Sequence, residues 1–301
     1  MQKRSGFIVC LVIGLVLAFL LRQSLYLPAK EEKVMDGFKA LLAQEDLTVA
    51  QVIAYVDKHI KEVSPAKAGQ LVLGLEQVQK EKLSAWQRLY EDNTLQQKMA
   101  EVYQRNWALE DLTKAEDGTI RRVVEKTVAN GYKVETAEGM FFPVIDYTLY
   151  RKYYKALAAD LSAYFDLMAV ESEKAPVKDA ALMISWEEVL ERAERQKRFI
   201  EGYSSSTQVE LVRELLARYV AFALFGCNNT PLFSYETKEM DPEAKQAYLA
   251  YVTEETTGEF SQLIKDYLQV LNAYDYRLTA EVDAFRQQAV QAWKKSAQPP
   301  K

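Results

Sequence analysis

From Gly6 to Leu21 no charged residue interrupts the chain, and beyond Arg22 the apolar character resumes through Leu25, Tyr26 and Leu27. About 20 residues suffice to cross roughly 30 Å of hydrocarbon as a helix, so residues 6–27 are predicted to span a membrane. Lys3 and Arg4 precede the run, whereas Lys30, Glu31, Glu32 and Lys33 follow it with mixed sign. That bias keeps the N-terminus cytoplasmic and places the remainder outside, in a single-pass, signal-anchor arrangement. Arg22 can snorkel to the interface and Tyr26 suits the headgroup layer. A cleaved secretory signal, giving a secreted protein, is the alternative. Leu27-Pro28-Ala29 puts leucine where a signal peptidase needs a small residue, and the run exceeds an ordinary signal core, so retention is favoured. Cys10 follows Val9 and reads as a small apolar residue of the span.

After the span, helix patterns arrive repeatedly. Val49, Ile53, Val56, Ile60 and Val63 are spaced 4-3-4-3, the buried stripe of a helix begun near Thr48. Ser64-Pro65 reads as an N-cap with proline in the first turn, opening a helix that carries Leu71, Val72, Leu75, Val78, Leu83, Trp86 and Tyr90. Two further helices are predicted over 92–107 and 117–130, the second closed by Gly131. The convincing β signal is a hairpin over 132–145, turning around Ala137-Glu138-Gly139. Pro143 assigns its second strand to an edge, and Phe141 and Phe142 face opposite sides.

Beyond the hairpin, Tyr150, Tyr154, Leu157, Leu161, Tyr164 and Met168 predict one helix over 146–170. Ser185 with Glu188, and Thr207 with Glu210, read as capping boxes of two more helices. From Leu215 to Phe225 only Arg218 is charged, which puts that helix at the centre of its domain. Residues 227–240 have no periodicity, and Asp241-Pro242-Glu243 caps the next helix. Phe260, Ile264, Tyr267, Leu271, Tyr274 and Leu278 then predict one long helix from 258 towards 295, about 50 Å in length. The fold expected is mainly α: an N-terminal transmembrane helix followed by a multi-helix, bundle-like soluble domain with one small β-hairpin. Its parts are a signal anchor (1–29), a helical-hairpin region (30–130), the hairpin plus helical bundle (131–295) and a disordered tail (296–301).

Charge and inventory narrow the chemistry. The anchor segment 1–29 holds three basic residues, Lys3, Arg4 and Arg22, and no acid, so the rest carries 43 acidic against 35 basic residues, a difference of −8. Such a surface argues against nucleic acid as a partner. Cys227 is the one cysteine outside the span, which rules out an internal disulfide there. His59 is the single histidine, so His-rich zinc sites and HExxH motifs are excluded within one chain. It lies beside the Val56–Ile60 face and reads as a boundary residue. Phosphate-binding glycine loops and GxSxG are absent. No metal or cofactor is predicted, and no catalytic group stands out.

Paired carboxylates remain chemically open, because glycosidase-type chemistry needs only two acids at a suitable separation. Glu171-Ser172 with Ala181-Leu182-Met183 resembles the catalytic Glu-Ser and later Gly-Leu-Met-Gln of lytic transglycosylases only in part. The spacing is shorter, and Ala181 and Ile184 stand where that family has glycine and glutamine, so the chain is not placed in it. The 18 tyrosines are the unusual feature of composition. Stacked rings could hold sugars or peptides, but Tyr150, Tyr154, Tyr164, Tyr267 and Tyr274 sit at seam spacing and read first as core.

A site is expected where regular structure stops and polar and aromatic groups converge. Two segments qualify: Phe141, Phe142, Asp146 and Tyr147 at the hairpin end, and Asn228, Asn229, Thr230 and Tyr235 in the long loop. The expectation is that they form one ligand or partner groove. The function expected is a membrane-tethered, extracytoplasmic interaction or scaffold protein of the cell envelope, working on an envelope protein partner. The alternative is a tethered binding module or acid-based enzyme for envelope carbohydrate or peptide.

Overall fold

The structure, a computed structural model, describes residues 29–252 and 257–296. The predicted span 6–27 and Cys10 lie outside the described residues, and of the predicted tail only Ser296 is described. Among the described residues no helix is long and apolar enough to cross a membrane. The chain is mainly helical with small hairpins, and it divides into two compact units. Of the described residues, the first takes 29–135 with Phe141–Ile145 and Lys152–Ala158; the second takes Thr136–Met140, Asp146–Arg151 and those from Ala159 onward.

In the first unit, α1 (29–42) and α2 (Val49–His59) precede a 3₁₀ turn at Ile60–Glu62 and the long α3 (Pro65–Leu89). Thr48 caps α2 through a reciprocal bond with Gln51, closing two otherwise unsatisfied donors. Ser64 stands at the N-cap position of α3 without a side-chain cap bond; its N–H donates instead to Glu31. The stripe Val52, Val56, Leu71, Val72 and Leu75 is wholly withdrawn from solvent with Phe38. Phe38 lies where a side chain on Gly74 would otherwise stand. Next come α4 (Asn93–Asn106), a 3₁₀ segment at Leu109–Lys114, and α5 (Gly118–Ala129), which Asp117 caps through Thr119 and Ile120. These helices close a second cluster of Tyr90, Leu95, Met99, Leu112, Ile120, Val124, Val134 and Phe141. Buried Gln79 ties it off, donating to the Gly131 carbonyl at 2.8 Å while its own carbonyl accepts from the Tyr132 hydroxyl at 2.8 Å.

The predicted hairpin is present as β1 (Tyr132–Ala137) and β2 (Met140–Ile145). Glu138 and Gly139 both have positive φ, 50° and 77°, the pair of left-handed residues that a tight hairpin turn with strand-matching twist requires.

The helix predicted over 146–170 is two elements. Tyr147–Ala156 is a 3₁₀ helix, and α6 (Ala159–Glu173) follows a break at Leu157-Ala158. The periodicity explains it: the residues buried here are Tyr147, Tyr150 and Tyr153, spaced by three, which suits three residues per turn. The 4-3 seam through Tyr154 competed with this pattern and lost.

In the second unit, α6, α7 (Trp186–Gly202), α8 (Val209–Phe225), α9 (Pro242–Tyr251), α10 (Glu259–Ala273) and α11 (Ala280–Ser296) enclose one core. Leu215, Leu216, Tyr219, Val220, Ala223 and Leu224 bury α8 as its lack of charge predicts. Ser185 caps α7 through Glu188, but Thr207 does not cap α8; Gln208 holds that position without a side-chain bond. Cys227 to Met240, expected as loop, contains a hairpin. β5 (Gly226–Cys227) pairs with β6 (Thr230–Pro231), and Phe233 bridges Met240. A further hairpin joins β3 (Val177–Lys178) to β4 (Ala181–Leu182).

The single long helix predicted from 258 to 295 is instead a helical hairpin. Asp275 and Tyr276 take positive φ, 50° and 56°, between α10 and α11, which no helix can carry. Tyr267 then stacks on Phe285 and Phe260 meets Trp293 edge-on, so α11 returns along α10. The apolar spacing ran through the reversal because Tyr274 and Leu278 happen to keep register across it.

Candidate functional site

Three tight turns of the second unit meet at one residue. The β3–β4 turn places Asp179 and Ala180 at positive φ, 48° and 55°. Asp179 Oδ1 accepts from the Glu138 N–H of residues 136–140 at 2.9 Å. On the other side the Asn229 amide donates to the Asp179 carbonyl at 2.6 Å, and the Asn229 N–H donates to the Ala180 carbonyl at 2.8 Å. Thr230 Oγ1 accepts from Leu182 N–H at 3.1 Å, stitching β4 to β6. The Tyr235 hydroxyl donates to the Asn228 carbonyl at 3.0 Å and lays that ring beside the β5–β6 turn. Each turn is thus tied to a neighbour by at least one hydrogen bond, which removes the freedom an exposed loop would have to surrender on binding.

On or beside each hairpin a large apolar side chain stands in solvent. Met140, Met183 and Tyr235 are 50%, 47% and 64% exposed. Methionine and tyrosine give adaptable apolar contact, the residue types enriched where proteins meet.

The predicted site residues are held by different local frames. Asn228, Asn229, Thr230 and Tyr235 belong to the turn cluster. Asp146 caps the 3₁₀ segment, its Oδ1 accepting from Thr148 N–H and hydroxyl at 3.0 and 2.6 Å. Tyr147 is buried and donates its N–H to Ser172 Oγ at 3.1 Å. Phe141 and Phe142 belong to the first unit. Phe141 is core there, its N–H and carbonyl both held by Gln96 at 2.9 and 2.7 Å. Asp179, Ala180 and Met183 escaped sequence reasoning. Asp179, a residue type favoured in turns, was the available signal; alanine in a left-handed turn gives none.

The buried charges of the second unit are elsewhere. Arg192, 4% exposed on its side chain, contacts Glu188 Oε1 at 2.5 Å and Glu171 Oε1 at 3.3 Å. Desolvation pushes the Glu171 carboxyl up, against the pull of Tyr219 and Arg192. Desolvation acts on Glu188 too, but hydrogen bonds and charge from Lys174 and Arg192 hold it below the usual range. Lys197, also buried, reaches Glu201 at 3.0 Å and the Thr257 carbonyl at 2.9 Å. Among the described residues no group of three or more His, Cys, Asp or Glu is placed to hold a metal. Comparison of the chain with protein-family models, with curated proteins and with solved structures finds no match.

Proposed function

We propose that this protein is a membrane-tethered interaction protein of the cell envelope. In this reading residues 6–27 cross the membrane, the N-terminus is cytoplasmic and both helical units lie outside. The Asp179 turn cluster receives an envelope protein. The observation that carries the reading is the cluster itself: three turns joined by hydrogen bonds through Asp179, with Met140, Met183 and Tyr235 exposed on or beside their hairpins. A rigid polar frame bearing apolar anchors is the arrangement a protein partner needs. The test is photo-crosslinking in intact cells from positions 140, 183 and 235 of the full chain. One discrete protein adduct, reduced about tenfold by Asn229→Ala, supports the reading; absence of adducts from all three positions overturns it.

A second reading, an acid-based activity on envelope carbohydrate or peptide, has one specific observation in its favour. Glu171 and Glu188 share Arg192 while their environments push their proton affinities apart, the pattern of an acid and a base. Incubation of the full chain with cell-wall fragments, wild type against Glu171→Gln, decides it: products released by the first and not by the second would replace the interaction reading.

A further inference from the structure

The first unit holds a cavity of about 600 Å³ between α1 and α2, and it contains the only histidine of the chain. Tyr55, His59 and Glu62 line one side at i, i+4 and i+7, the spacing that stacks side chains on one helical face. Lys30, Val34 and Gly37 line the other with the same spacing, and Lys33 stands beside them.

The groups are fixed in place. Glu62 spends both oxygens internally, Oε2 on His59 Nδ1 at 2.6 Å and Oε1 on Lys30 Nζ at 3.3 Å. Those two hydrogen bonds hold its carboxyl below the usual range, so the one acid of the lining is a saturated strut. With Nδ1 engaged, Nε2 is the ring nitrogen left for a ligand. The Tyr55 hydroxyl donates to the Val34 carbonyl at 2.7 Å, and a side chain at position 37 would run into that hydroxyl. The neighbouring acid Glu31 is occupied by the Ser64 N–H. Lys33 is exposed and has no ion-pair partner among the described residues. Two lysines and an imidazole face the space against one acid, which Lys30 and His59 hold between them, beside an apolar wall of Ala29, Val34 and the Tyr55 ring.

We infer that this cavity takes the phosphate of an anionic phospholipid headgroup, with Lys30, Lys33 and His59 on the phosphate and Ala29, Val34 and Tyr55 against the glycerol. The inference rests on the reading of residues 6–27 as a membrane span. Three peptide units separate Leu27 from Lys30 and reach no more than about 10 Å in any conformation. The headgroup layer is roughly 5–7 Å deep on each side of the hydrocarbon, so the lysines are within its reach. A free phosphate ester offers the same charge but has little use for the apolar wall, which is why the lipid is the source favoured.

The test uses the full chain in nanodiscs of phosphatidylglycerol or of phosphatidylcholine, reading the ring-proton NMR signal of His59, which needs no assignment because there is one histidine. A shift in the first lipid relative to the second, with Lys33→Gln weakening the response about fivefold and Lys39→Gln leaving it intact, is the result expected. Equal spectra in the two lipids, with a shift on adding glycerol phosphate, would keep the phosphate site and overturn the lipid source. No shift with either overturns the site. Alkaline carbonate extraction of the same chain from cell membranes reads the tether separately: release into the supernatant sinks the membrane reading, and the glycerol phosphate arm still decides the cavity.

Discussion

The Tyr219 hydroxyl, on α8, donates to Glu171 Oε1, on α6, across 2.6 Å, and the same oxygen accepts from Arg192 of α7 at 3.3 Å. Three helices of the second unit are thereby joined through one carboxylate oxygen. Burial and the nearby carboxylate push the tyrosine proton far out of the ordinary range, so it stays a donor. Removing Arg192 would leave Glu171 buried without its cation. Arg192→Met is expected to destabilise by about 3–5 kcal/mol, and the double variant with Glu171→Leu to recover part of that loss. Urea denaturation of the three variants measures it.

The same carboxyl sets a pH dependence. Its native affinity for a proton is raised above the ordinary value of 4.5, so the native state holds the proton more tightly than the unfolded chain. Stability from this group is full below that value and falls as pH rises towards the native one. Glu171→Gln should flatten the decline of stability with pH in this window; an unchanged slope would show that Glu171 is not its source.

Asp117 behaves with the opposite sign. Lys98 and the N–H groups of Thr119 and Ile120 draw its carboxyl down from 3.8 to about 2. Its contribution is complete above the ordinary value and is lost as pH falls through the native one. Asp117→Asn keeps a capping oxygen and removes the charge, so variant and wild type should differ at pH 5 and converge near pH 2. Amide exchange in α5 is the direct readout.

Gly226 is the residue on which the β5–β6 hairpin depends. It has φ of 71°, and a methyl there would strike the Thr230 carbonyl and lie 2.8 Å from Leu232 N, both backbone. Neither neighbour can rotate away. Gly226→Ala should destabilise by about 2 kcal/mol or more, and it should reduce crosslinking from position 235. Intact crosslinking at normal stability would dissociate the turn from the proposed surface.

The reversal between α10 and α11 gives a distance prediction. Spin labels at exposed Gln262 and Gln291 would be about 44 Å apart on one continuous helix, at 1.5 Å per residue. Packed as a hairpin they should lie within roughly 20 Å, the interaxial spacing plus the label arms.

Helices whose ends carry a capping side chain were legible from the chain alone. Thr48, Asp92, Asp117, Ser185 and Asp241 each cap the helix that follows. What escaped were places where apolar spacing is ambiguous between two geometries. Tyr147, Tyr150 and Tyr153 obey a period of three and Tyr150, Tyr154 and Leu157 a period of 3.6, and only packing chooses between them. In the α10–α11 turn the deciding feature is two left-handed residues, Asp275 and Tyr276, and tyrosine gives no hint of it. Most tyrosines read as core are core, with Tyr150, Tyr164 and Tyr267 withdrawn from solvent, whereas Tyr274 is exposed. The candidate site was half legible for a related reason. Asn228 and Asn229 advertise a turn, but the Asp179 turn that they join is written in Asp-Ala, and its two-residue strands are too short to show alternation.

Cys227 lies two residues before Asn229, half-buried, with burial raising its thiol proton affinity. Alkylation there requires thiolate and access, and the folded hairpin limits both. The rate at which a maleimide captures this sulfur would therefore act as a clock for the parting of β5 from β6. Anything seated on the turns would slow that clock without itself having to be isolated.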